Sequence, residues 1–254
     1  MFKKLLLSTA VVLAMPALAQ EAPEDKGFTL DGEFGLNLTT GNTETTSLNG
    51  GLTAKHKLKK WENDYIFEAL YREDTTEDDN GVEETDVSAQ RFYASGQANY
   101  KLANPNNRIF GFLSYEDNRL GAFDYQGTAA LGWSQKVWEN EKSSLEYSIG
   151  PGYTFQREQE TDELTPVETN KFFVVRGSAA YNWFISDTAK FTQTLSTEAG
   201  SENTSTRSET ALSAQISGGL SLKVAFRVDH NSDVAGDLEN TDTETAITLV
   251  YSFF

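Results

Sequence analysis

Residues Leu145–Gln156 read LEYSIGPGYTFQ. Leu145, Tyr147, Ile149, Pro151, Tyr153 and Phe155 alternate with Glu146, Ser148, Gly150, Gly152, Thr154 and Gln156. Successive side chains of a strand point to opposite faces, so this stretch predicts a strand with one apolar and one polar face. The same period runs outward in both directions. Tyr125, Ala129, Leu131 and Trp133 alternate with Gln126, Thr128 and Ser134; Leu222, Val224, Phe226 and Val228 alternate with Lys223, Arg227 and Asp229. Near the start, Phe28, Leu30, Phe34, Leu36 and Leu38 face away from Asp31, Glu33 and Asn37.

Twelve segments follow this pattern: 28–40, 44–58, 61–73, 85–101, 108–118, 122–137, 142–157, 169–185, 188–199, 205–220, 221–231 and 241–254. Segment 108–118 is apolar on both faces, because Phe110 and Phe112 oppose Ile109, Leu113 and Tyr115. The boundary between the tenth and eleventh strands, around Gly219–Lys223, is soft. A soluble sandwich or barrel would turn the apolar faces inward; an outer-membrane barrel turns them to lipid and keeps a polar lumen. The strand lengths separate the two. Soluble strands average about five or six residues, whereas membrane-crossing strands need about nine to eleven. Connections also alternate between short turns (LKKWE, ANPNN, WENEK, FISDT) and mostly longer polar segments (EDTTEDDNGVEET, REQETDELTPVE, GSENTST, HNSDVAGDLENT), as membrane barrels require. Trp61, Tyr100, Trp138, Trp183 and Tyr251 lie at strand ends beside the short turns, where an interfacial aromatic girdle would sit. The reading is an all-β fold: a transmembrane antiparallel up-and-down barrel of about twelve strands over 28–254.

The two ends of the chain agree with that reading. MFKKLLLSTAVVLAMPALA (1–19) has Lys3 and Lys4, an apolar run and Ala17-Leu18-Ala19, the layout of a cleaved secretory signal peptide, followed by a short segment, 20–27. The chain closes on LVYSFF (249–254), where Ile247, Leu249, Tyr251 and Phe253 form the lipid face of a closing strand. Tyr251-Ser252-Phe253 resembles the aromatic–x–Phe finish read by the outer-membrane assembly machinery, although Phe254 follows it, so two registers stay open.

Composition excludes several classes. Removing Lys3 and Lys4 would take the net charge from −17 to −19, which argues against nucleic acid as a partner. With no cysteine there is neither disulfide nor thiolate chemistry. An aromatic content of 12% argues against disorder.

Several of the strand sequences match a known pattern. Thr40-Gly41-Asn42-Thr43 followed by Thr45, Thr46, Ser47 and Leu48 resembles the first hairpin of the YdiY-like, salt-induced outer-membrane proteins. Arg91-Phe92-Tyr93 with Tyr100-Lys101-Leu102 is similar to that family's fourth strand, and Phe123–Gln126, Gly150–Tyr153, and Arg176-Gly177 with Tyr181 to later ones. The resemblance implies a barrel in the Gram-negative outer membrane, of unknown function, and brings no catalytic residues.

Candidate chemistry is sparse. Only His56 and His230 are present, and His56 shares the outward register of Leu48, Leu52 and Leu58. His230 stands beside Asp229, Ser232 and Asp233 at the outer rim, so an outer-membrane hydrolase of phospholipase or protease type is the alternative function. The polar faces carry Arg72, Arg91, Arg176 and Arg227 with Glu68, Glu146 and Asp229, mixed charges that either pair to close the lumen or line a narrow channel. Acids in the outer segments (Glu73, Asp74, Glu77–Asp79, Glu83, Glu84 and Asp86; Glu158, Glu160, Asp162, Glu163 and Glu168; Asp233, Asp237, Glu239, Asp242 and Glu244) read first as solvated surface and second as weak calcium or magnesium ligands. Asp78-Asp79-Asn80-Gly81 lacks the spacing of an EF-hand. The expectation is a monomeric, non-enzymatic envelope barrel without catalytic, cofactor or metal residues, a narrow pore or a structural, stress-related protein, contacting outer-membrane lipid and lipopolysaccharide. Extraction should require detergent, and the folded form should migrate differently from the heated form on a gel. Recovery as a soluble protein without detergent would contradict the barrel.

Overall fold

The computed structural model describes residues 27–39, 43–77, 83–119, 121–159, 167, 169–234, 236 and 238–254. The signal-peptide reading, the Gly41-Asn42 turn, Asp78–Gly81 and the acids Glu160, Asp162, Glu163, Glu168 and Asp237 lie outside the described residues. Twelve strands follow one another: β1 (Phe28–Thr39), β2 (Thr43–Lys57), β3 (Trp61–Glu77), β4 (Glu83–Lys101), β5 (Asn107–Asn118), β6 (Phe123–Glu139), β7 (Ser143–Glu158), β8 (Thr169–Ser186), β9 (Ala189–Gly200), β10 (Thr204–Ser217), β11 (Leu220–Asn231) and β12 (Thr241–Ser252). Each pairs antiparallel with its neighbour in sequence, and β12 returns to β1, closing the barrel.

The exterior is apolar. Phe173 is 80% exposed, Leu131 66% and Ile247 63%, on strands whose alternate residues turn inward. A free apolar surface all round a closed sheet has a solvent only in lipid, where the ladder satisfies backbone groups that water cannot reach. Rings mark both margins of this belt. Trp61 meets Tyr100 edge-on at 5.1 Å, and Tyr251 meets Phe253 at 5.0 Å, at the short-turn end. Tyr153 meets Phe173 at 5.3 Å towards the opposite end.

Most strand ends fall within one or two residues of the sequence reading, and three differences have a physical reason. β3 and β4 extend to Glu77 and from Glu83, so most of the acidic segment read as a loop is a hairpin. Both of its faces are polar, which hides the period; a hydroxyl pair, Thr75–Thr85 at 2.8 Å, ties it across the strands. β6 runs to Glu139 through a bulge between Lys136 and Trp138. That extra residue keeps Lys136 inside while putting Trp138 outside against Tyr181. The soft β10–β11 boundary is a tight turn on Gly218, whose φ of +52° favours glycine.

The ambiguous fifth strand turns Phe110 and Phe112 inward, with Ile109, Leu113 and Tyr115 outside. Phe110 (1% exposed), Phe112 and Ala130 pack together, and Phe172 and Val174 are buried on β8. On the inner face here β6 and β7 approach so closely that a Cβ at Gly132 would lie 2.3 Å from the Ile149 carbonyl, and one at Gly150 2.1 Å from that of Leu131. One side of the lumen is therefore filled by side chains. The remainder holds a cavity of about 680 Å³ reaching from the 186–188 turn up to Arg91 and Glu244. An arginine placed at lipid-facing Leu131 should destabilise the barrel by ~2–4 kcal/mol in urea titrations from phosphatidylcholine vesicles. A change below about 0.5 kcal/mol, the range of a neutral surface substitution, would contradict the lipid-facing assignment.

Candidate functional site in the lumen

Alternation places every second residue of each strand inside, so inward charges from different strands converge wherever the strands bring them level. The largest convergence is a layer built on Arg91 (β4), Arg207 (β10) and Arg227 (β11). Arg91 Nη2 lies 3.0 Å from Glu244 and 3.8 Å from Glu68, and its Nη1 lies 3.8 Å from Asp229. Arg227 Nη1 contacts Glu68 at 2.9 Å, and its Nη2 contacts Glu209 at 2.7 Å. Arg207 joins Asp229 on the neighbouring strand and donates to Glu116 of β5 at 2.8 Å. Its guanidinium also stands 5.0 Å from the Tyr93 ring centroid. β5 and β10 are five strands apart one way round and seven the other, so this last bond crosses almost the full width of the barrel.

Two smaller groups flank the layer. Arg176 lies 3.5 Å from Glu198, which also accepts a hydrogen bond from Thr128 at 2.6 Å. Among the described residues the Arg176 Nη1 has no hydrogen-bond acceptor; its guanidinium instead sits 3.6 Å from the centroid of Phe112. Nearer the short-turn end, Arg108 (2% exposed) bonds Glu146 at 2.9 Å and lies 3.4 Å from Glu62, which holds Lys136 at 3.1 Å. Within the cavity wall, Lys223 bridges Glu33 and Glu209, and Lys55 lies 3.6 Å from Asp64.

The expected lumen charges therefore divide. Arg91, Arg227, Glu68 and Asp229 meet in the central layer. Glu146 belongs to the Arg108 group and Arg176 to the Glu198 group. Arg72 stands apart at the far end of β3, half-exposed and 3.4 Å from Asp74 of its own strand. Sequence reasoning missed Arg108, Glu116, Arg207, Glu209 and Glu244. Arg207 and Glu209 were legible, since they share the inward register of Ala211 opposite Leu212. Glu244, a loop acid in the sequence reading, lies within β12 and faces the lumen.

The rim reading around His230 does not assemble. His230 is exposed in the outward register and its Nδ1 lies 2.9 Å from the Thr241 hydroxyl, while Asp229 turns inward to the arginines. Ser232 donates instead to Asn203 at 3.2 Å. His56 lies edge-on to Phe28 at 5.8 Å, also outside. Among the described residues no three acidic or histidine side chains converge as a metal-holding group.

With this geometry in place, the chain can be set beside known proteins. It is 29% identical over 166 residues to the uncharacterized protein YdiY of Escherichia coli K12, covering 65% of this chain. The match spans 63% of YdiY, less than two thirds of that relative's length. Among solved structures, an outer membrane channel from Pseudomonas putida F1 has a TM-score of 0.49 at 12% identity, covering 92% of this chain and 100% of that one. The NanC porin has a TM-score of 0.48 at 10% identity, covering 87% and 98%. The family model for proteins of unknown function designated DUF481 matches residues 32–253. The chain belongs to that family, as a twelve-stranded outer-membrane barrel.

Proposed function

We propose that the protein is a narrow outer-membrane pore, its short-turn end and cavity opening to the periplasm and its lumen closed at depth by the arginine–carboxylate layer. The observation that carries this reading is the Arg207–Glu116 bond between nearly opposite walls, with Arg91–Glu244 and Arg227–Glu68 beside it. A purely structural barrel has no need of a chamber of about 680 Å³ beneath such a layer. The layer works as a resistance: charges removed from water remain only where they are paired, and paired charges block the path until they separate. Salt weakens such pairs where water reaches them, so ionic strength favours the open form. That dependence gives the salt-induced, stress-related role suggested by the family resemblance a physical counterpart. The lipid face is read as contacting outer-membrane lipid and lipopolysaccharide, the C-terminal strand as the segment read by the assembly machinery, and the chain as a monomer without catalytic activity.

The test is planar-bilayer conductance of the wild type and of the Arg207→Ala/Glu116→Ala pair, which removes both ends of the bridge and leaves Asp229 paired with Arg91. The wild type should show small, brief openings that grow more than in proportion to salt. The double variant should conduct several-fold more. Absence of ion flow in both proteins, with the variant folded by heat-modifiability, would make the barrel a plug rather than a pore. Arg108→Ala, by contrast, removes the partner of Glu146 and one partner of Glu62, and should cost on the order of 3 kcal/mol of stability without opening the central layer.

A further inference from the structure

One seam of the barrel is unlike the other eleven. β1 and β12 are in register only from Asp31↔Ser252 to Phe34↔Leu249, four residue pairs. Every other pair of neighbouring strands carries eleven or more. Below the registered stretch the Phe253 N–H still donates to the Leu30 carbonyl at 2.9 Å. Above it the ladder stops, although β1 continues to Thr39 and β12 begins at Thr241. The strands part just past Gly35, where a Cβ would still lie 3.1 Å from the Ile247 carbonyl.

The parting falls within the apolar belt, because Phe34, Leu36, Ile247 and Leu249 flank it as exposed outward residues. The bond from Phe253 to Leu30 fixes which backbone groups face the seam: even-numbered residues on β1 and odd-numbered residues on β12. Leu36 and Leu38 on one side and Ile247 and Thr245 on the other thus direct backbone N–H and C=O groups across the gap with no ladder partner among the described residues. Such groups are costly in hydrocarbon and call for a polar occupant. Immediately inside the gap stands Glu244, the β12 carboxylate held by Arg91 at 3.0 Å and approached by Arg227 at 3.8 Å. Lumen-facing Ala246 and Thr248, also on β12, line the cavity.

We propose that the outer half of the β1–β12 seam is a lateral portal that admits an anionic amphiphile from the outer leaflet to the lumen. Its apolar chain lies along Phe34, Leu36 and Ile247 while its head enters between the strands. An anionic head competes with Glu244 for Arg91 and Arg227, so it is accepted by the charge that otherwise ties β12 to the central layer. A neutral head has no such exchange to make. This inference uses the arginine layer but not its role as a closed pore.

The chain is free of cysteine, so a pair introduced as Leu36→Cys/Ile247→Cys can seal the gap with a disulfide and reopen it with reductant. In phosphatidylcholine proteoliposomes, dodecanoate carrying a diazirine should, on illumination, label lumen-facing Asn49, Ala246 and Thr248 in the reduced protein. Oxidation should lower that labelling at least tenfold, with reductant restoring it. Arg91→Ala/Arg227→Ala should lower it without sealing. Dodecanol carrying the same diazirine should label the lumen at least tenfold less than dodecanoate. Labelling confined to lipid-facing residues in both redox states, or lumen labelling untouched by oxidation, would overturn the portal. Equal labelling by the alcohol would overturn the anionic recognition. Disulfides formed between two molecules in preference to within one would identify the open edge as a contact between copies and overturn it too. Ion conductance measured on the same sealed protein separates this result from the pore reading, since sealing the seam leaves the central layer in place.

Discussion

The rest of the structure depends on the satisfaction of backbone N–H and C=O groups where no water is available. In lipid an open sheet edge is costly, so twelve strands close on one another and their side chains divide between two solvents. That division makes the exterior apolar at Leu131, Phe173 and Ile247 and drives Arg91, Arg207 and Arg227 into the interior. Turned inward and largely withdrawn from solvent, those cations are matched by carboxylates, and the layer follows from the closure above it. Among the described residues, the β1–β12 seam is where both neighbouring strands run on past the end of their shared ladder, and it lies beside Glu244, one of the acids the layer uses.

How much of this was legible depends on what each residue signals by itself. A period of two with apolar Leu, Ile, Tyr and Phe on one face is written plainly along β1, β7 and β11, and it is enough for strand number and facing. It fails where both faces are alike. The β3–β4 extension is polar on both sides and reads as loop until its backbone pairing is seen. β5 is apolar on both sides, because Phe110 and Phe112 fill the lumen while Ile109 and Leu113 face lipid. A bulge adds one residue without any compositional mark, so the period of two alone ends the strand before Trp138, which belongs to it.

The charge layer was legible as a list but not as a set of partners. Inward position can be counted along one strand, but partners depend on the stagger between strands and on chords across the lumen. Glu146 and Arg176 share the interior with Arg227, yet they bond Arg108 and Glu198. Glu116 and Arg207 are 91 residues apart in sequence and meet only because β5 and β10 stand almost opposite in the closed barrel. The short register of the closing seam was similarly invisible, since β1 and β12 each have an ordinary strand pattern.

The central claim is that the lumen is spanned by a bonded pair of opposite walls. A double-mutant cycle on Arg207→Ala and Glu116→Ala, read from urea unfolding in vesicles, tests it most directly. The account predicts strongly non-additive losses, with a coupling of at least about 1 kcal/mol. Losses that add to within about 0.5 kcal/mol would mean that the two residues do not meet across the lumen, and would contradict it.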